Sequence, residues 1–186
     1  MLFTPTRLAD AYLVDIERRD DERGFFARSW CREEFAAHGL VAELAQCNLS
    51  CSARRGTLRG MHFQRQPHVE AKLVRCTAGA IWDVIIDLRP DSPSFEAWQG
   101  FSLTAASHRS LYVPPGFAHG FQTLHDDTEV TYQMSAAHAP EAAAGLRHDD
   151  PAFAIAWPLP VSVISARDLS WPDYGTHLPR PAARFA

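Results

Sequence analysis

The sequence contains no stretch approaching the ~20 apolar residues needed to cross a bilayer. Its opening, Met1-Leu-Phe-Thr-Pro5, lacks the basic start and long apolar run of a secretory leader. Cysteine is scarce. Cys31, Cys47, Cys51 and Cys76 show no tight Cys-x-x-Cys spacing, which argues for reduced thiols packed as small hydrophobes. Positive charge is not concentrated either: the net charge is −4, with both signs dispersed, so the basic face of a general nucleic-acid binder is missing. These absences predict a cytoplasmic protein with neither membrane nor nucleic acid as partner. An anionic ligand held by a few local arginines stays open.

What is present fits one domain. The 186 residues are 46% hydrophobic and 22% charged, enough to bury a core without disulfides or structural metal. No internal repeat or linker divides residues 1–186, with a core over about residues 20–168 and a tail over 171–186 expected to wrap the surface. Cys31–His38 is the best helix candidate, with Glu33 and Glu34 early, His38 in the last turn and Gly39 as a stop. Strand-like alternation dominates the rest: one or two strands within 1–20, then Ala45–Ser50, Leu58–Gln64, Ala71–Thr77, Ala80–Leu88, Gly100–Leu103, Ser110–Val113, Ala118–Leu124 and Thr128–Ser135. Asp20–Gly24 reads as a turn and Phe153–Trp157 as a short extended piece. Short strands at regular spacing predict an all-β fold, a β-sandwich or a jelly-roll barrel.

Leu58–Gln64 is a poor ordinary core strand. Leu58, Gly60, His62 and Gln64 would share one face and Arg59, Met61 and Phe63 the other, and neither face is purely apolar. A cavity wall explains that pattern. His119 follows the corner Pro114-Pro115-Gly116-Phe117-Ala118, which would deliver it to the barrel mouth. This Pro-x-Gly-x-x-His run is half of the cupin signature, and a metal set of His62, Gln64, Glu70 and His119 is one reading. An amide where a second histidine would stand makes it a weak donor set. The other reading is proton transfer, with His62 titrating near neutrality, Tyr132 on an inward face, and Lys72 on the strand after His62. Neighbouring barrel strands would bring His62 and Lys72 together.

Gly56-Thr-Leu-Arg-Gly-Met-His-Phe-Gln64, Lys72-Leu-Val-Arg-Cys76, Asp83-Val-Ile-Ile-Asp87, Pro115-Gly-Phe-Ala-His-Gly-Phe121 and Asp149-Asp-Pro151 follow one another in order. Over about Asp20 to Asp168 the chain resembles the dTDP-4-dehydrorhamnose 3,5-epimerase family. The resemblance implies a cupin jelly roll needing no metal or cofactor, a homodimer with shared active sites, and a nucleoside-diphosphate 4-keto-6-deoxyhexose as substrate in deoxysugar or polysaccharide biosynthesis. By position it implies His62 as general base, Asp168 as its orienting carboxylate, Tyr132 as proton donor on the opposite sugar face, and Lys72 near the developing C4 oxyanion. His119 would be a second polar contact there, oriented by Asp83 if their strands adjoin. Arg23, Phe26, Gln46, Asn48, Arg59, His138 and Arg167 would bind the nucleotide side, with Arg23 and Phe26 reaching into the partner's barrel.

Departures from the family pattern stand at Arg28 and Ala143, where glutamate is usual, and at His138, where tyrosine is usual. They leave the base, the sugar and the choice of C3, C5 or both open. A metal-dependent cupin enzyme and a non-catalytic nucleotide-sugar binder are the competing readings.

Overall fold

Alternation along the chain builds two antiparallel sheets in the computed structural model, which describes residues 1–175. The elements run β1 (Leu2–Pro5), β2 (Tyr12–Asp15), β3 (Arg19–Asp21), β4 (Gly24–Phe26), α1 (Arg32–Ala37), β5 (Gln46–Ser52), β6 (Leu58–Gln64) and β7 (Lys72–Ala78). They continue with β8 (Ala80–Asp87), β9 (Trp98–Thr104), β10 (Ser110–Val113), β11 (Phe117–Thr123), β12 (Thr128–Met134), β13 (Ala143–Gly145) and α2 (Ala166–Leu169). One sheet has the order β1-β2-β10-β7-β12-β5 and the other β13-β6-β11-β8-β9, while β3 and β4 form a separate hairpin. The expected jelly roll is what the chain forms. No helix among the described residues is long and apolar enough to cross a membrane.

The sheets meet through Val74, Cys76, Leu111, Val113 and Val130 from the first and Ile81, Ile85, Phe101, Leu103, Phe117 and Phe121 from the second. Each is buried, and fully burying one such side chain contributes about 1.5–3 kcal/mol before entropy is charged against it. The second sheet is covered on its outer face too. Met61, Phe63, Val84, Ile86 and Ala118 pack there against Leu146, Phe153 and Ile155. Burial on both faces explains why Ala80–Asp87 is almost continuously apolar rather than cleanly alternating.

Helix α1 lies on the outer side of the first sheet. It buries Phe35 edge-on against Phe3 and Tyr112, at centroid distances of 5.2 and 5.9 Å. Cys31 makes no side-chain cap, so Glu33 and Glu34 in the first turn are what favours its start. Gly39 at φ +70° stops it, as expected, in the left-handed conformation that glycine adopts without strain.

Three expectations need correction. Phe153–Trp157 is irregular and forms no strand. The Asp20–Gly24 turn is tighter than expected, because Asp20 and Asp21 already pair with Phe25 and Gly24. Lys72 is not on a strand beside that of His62: β6 and β7 belong to opposite sheets, and the two meet across the barrel interior. The expected tail over 171–186 lies outside the described residues from 176 onward.

Candidate active site

A cavity of about 830 Å³ opens between the sheets, and Arg59, His62, Lys72, His119, Tyr132 and Asp168 all line it. Close backbone contact shapes its floor. A side chain at Gly60 (φ +148°) would come within 2.6 Å of Gly120 Cα, and one at Gly120 within 2.8 Å of the Arg59 carbonyl. Two glycines back to back let β6 and β11 approach, and His62 then stands directly opposite His119.

The same place carries a β-bulge. His119 pairs with His62 but Phe121 pairs with Arg59, so three residues of β6 span two of β11. The extra residue resets the alternation. Arg59 therefore lines the cavity with His62, whereas strict period-two reading puts them on opposite faces. Met61 stays on the outer face, packed in the second core.

His62 Nε2 donates to Asp168 Oδ1 at 2.6 Å, and the Gly60 N–H points at Asp168 Oδ2 at 3.4 Å. Asp168 reaches this spot from far along the chain. Leu58 N–H donates to the Val163 carbonyl at 2.8 Å, tying the later segment to β6. Ser165 then caps α2 by accepting the Asp168 N–H at 3.0 Å. Burial disfavours the Asp168 carboxylate, but the bond and charge of His62, the Gly60 amide and Ser165 outweigh it, leaving its pKa below the usual range. A carboxylate on Nε2 holds the ring in the tautomer that leaves the Nδ1 lone pair as the base.

The His119–Asp83 dyad forms as well. His119 Nε2 lies 2.6 Å from Asp83 Oδ1, on adjacent strands β11 and β8. Tyr132 sits edge-on to His119 at 6.2 Å between ring centroids. Burial pushes its hydroxyl pKa up, against smaller opposing effects of Ser50 and Arg59, so it remains a proton donor at neutral pH. Lys72 Nζ donates to the His62 carbonyl at 3.2 Å and pairs with Glu70 Oε1 at 3.2 Å.

The metal set does not fit these bonds. Gln64 spends its amide on the backbone, donating to the carbonyls of His68 (2.8 Å) and Ala137 (3.2 Å) and accepting the Ala139 N–H (2.6 Å). Glu70 is paired with Lys72, and both histidines present Nε2 to carboxylates. Gln64 instead anchors the rim segment that carries His138.

At that rim Gln46 Oε1 accepts the His138 N–H at 2.8 Å, and Gln46 Nε2 contacts Asn48 Oδ1 at 3.4 Å. Arg59 is held by Ser52 Oγ (3.2 Å) and the Cys51 carbonyl (3.3 Å), and Arg167 stacks over Trp171 at 5.3 Å. Gln46, Asn48, His138 and Arg167 all line the cavity. Arg23 and Phe26 do not. They stand on the β3–β4 hairpin with side chain and residue 84% and 72% exposed, and Arg23 is bonded to Asp21. Ser165 and Glu70 are the supporting residues that reading for proton transfer passes over. Ser165-Ala-Arg-Asp168 has the spacing of a helix cap, a signal legible once a helix is suspected.

A family model described as dTDP-4-dehydrorhamnose 3,5-epimerase matches residues 5–175. A dTDP-4-dehydrorhamnose 3,5-epimerase of Sinorhizobium fredii is 41% identical over 178 residues, covering 93% of this chain and 89% of that protein. A dTDP-4-dehydrorhamnose 3-epimerase of Streptomyces niveus is 37% identical over 169 residues, covering 90% and 81%. The crystal structure of the Bacillus anthracis 3,5-epimerase with TDP and PPi bound matches with a TM-score of 0.88 at 40% identity, covering 92% of this chain and 98% of that one.

Proposed function

We propose a function from the premise that this chain belongs to the dTDP-4-dehydrorhamnose 3,5-epimerase family. It is an isomerase of deoxysugar biosynthesis that epimerises a nucleoside-diphosphate 4-keto-6-deoxyhexose at C3, C5 or both. One observation carries the mechanism. His62 and Tyr132 line one cavity from opposite sheets, so a sugar between them meets a base on one side and an acid on the other.

His62, held by Asp168, takes the proton from the carbon beside the ketone. Lys72 stabilises the enolate oxygen at C4, with His119 as a second contact oriented by Asp83. Tyr132 returns a proton to the opposite face, inverting the centre. The cation and the paired imidazole act where charge develops, which is where electrostatic help lowers a barrier. Arg59 and Arg167 take the diphosphate, for which a planar guanidinium fork is suited. Gln46, Asn48 and His138 take the nucleoside.

The exposed hairpin supports a homodimer with shared sites. Arg23 and Phe26 lie outside their own cavity, and we assign them to the partner's. Four free thiols fit the reducing cytoplasm as the place of action.

Incubation with dTDP-4-keto-6-deoxyglucose in D2O tests the reaction. Deuterium is expected at C3, C5 or both, and the pattern assigns the centres. No exchange with that or any other nucleotide 4-keto sugar would sink the reading, and binding without exchange would mark a non-catalytic binder.

A further inference from the structure

Lys72 and Glu70 are both buried, and their contact at 3.2 Å lies at the cavity wall. Glu70 Oε1 takes the ammonium, but Oε2 is buried with no hydrogen-bond partner among the described residues. A carboxylate in that state is costly to bury, and an uncharged side chain of the same shape would fill the space with a smaller penalty. Packing alone gives no reason for it. The reason lies in its charge.

Removal from water favours the neutral amine of a lysine. Burial does pull the Lys72 pKa down, and Glu70, with a weaker contribution from Asp83, acts against that pull. The reaction assigned above needs the ammonium, because an amine brings no positive charge to a developing oxyanion. The other groups around the cavity support it less than Glu70 does. Asp83 on β8 and Asp168 on α2 are each bonded to a histidine, while His62, His119 and Tyr132 supply no anion. Arg59 and Arg167 at the rim only oppose a further positive charge.

We propose that Glu70 is a positioning residue that holds Lys72 as an ammonium aimed into the cavity. The assignment rests on the role given to Lys72 above, so its test reads the lysine directly as well as the reaction. Protein labelled with 13C at Cε of Lys72, the one lysine in the sequence, is titrated without ligand. In Glu70→Gln the Lys72 midpoint falls by about 1–3 pH units, the size of shift that one adjacent opposite charge produces. The alkaline limb of kcat for deuterium exchange moves down with it while KM holds, and Glu70→Asp restores both. A midpoint that stays where it is in the native protein overturns the assignment. So does a limb that stays put while the midpoint moves.

If the native protein exchanges no sugar proton but the midpoint still falls, the catalytic reading fails and the Glu70–Lys72 linkage stands. Should Glu70→Gln not fold, the native titration decides. Lys72 must still be an ammonium at about pH 8, well below the ordinary lysine value, and an amine there overturns the proposal.

Discussion

His62–Asp168 and His119–Asp83 both close at 2.6 Å between an imidazole Nε2 and a carboxylate oxygen. Their surroundings differ. The His62 side chain is 44% exposed to the cavity, whereas that of His119 is 5% exposed. Asp83 meets its histidine through sheet register, two positions from the directly paired residue. Asp168 is brought to His62 by a separate capped helix across 106 residues. The same hydrogen bond thus stands in two settings: one holds an imidazole open to the cavity, and the other locks an imidazole into the wall. Geometry between the partners does not distinguish them, but access does.

Exchanging each histidine for asparagine is the strongest way to break this comparison. His62→Asn is expected to lower deuterium exchange by ~10²–10⁴-fold, the usual contribution of a positioned base, with little change in the denaturant midpoint. His119→Asn is expected to leave buried Asp83 short of its partner and cost about 1–3 kcal/mol of stability, read by urea unfolding. If His119→Asn matches His62→Asn in lost exchange while stability holds, the division of labour collapses.

Tyr132→Phe separates the two walls. Inversion should fall by about 10²-fold or more while His62 still exchanges the sugar proton, so washout of a substrate C–H label outlives product formation. Equal loss of both would remove Tyr132 as the acid. Next in size is Gly120→Ala. Its new methyl meets the Arg59 carbonyl and Met61 Sδ, and overpacking of this kind costs about 1–3 kcal/mol, visible as a lower melting temperature.

The smallest effect is the pH dependence of the accessible pair. The Asp168 pKa is depressed in the folded protein, so its stabilising contribution is full above the unfolded carboxylate value of about 3.9. That contribution is lost as pH falls through the lower folded value. The stability gap between native protein and Asp168→Asn should therefore narrow as the pH falls below about 3.9. A gap that fails to narrow there would contradict the assignment.

Most strands were legible because their faces alternate, and α1 because its acids and Gly39 mark both ends. β13 was not: Ala143-Ala144-Gly145 has no β-branched or aromatic residue, and its pairing with β6 is decided by tertiary contact. The face of Arg59 was misread because a bulge breaks the period that sequence reading assumes. The position of Lys72 was misread because chain neighbours went to opposite sheets. Asp168 carries no local signal stronger than a four-residue cap, and its part in the site came from family resemblance rather than from its own surroundings. His62, His119, Tyr132 and Gln64 were visible as polar residues in segments otherwise fit for a core.

The late delivery of Asp168 has a consequence for synthesis. Every strand among the described residues precedes it, so a ribosome makes those strands before the carboxylate that completes the His62 pair. A chain halted just short of Ser165 carries Lys72 and Tyr132, but lacks Asp168 and part of the cavity lining. The imidazole proposed as the base gains its carboxylate partner only after all the described strands have been made.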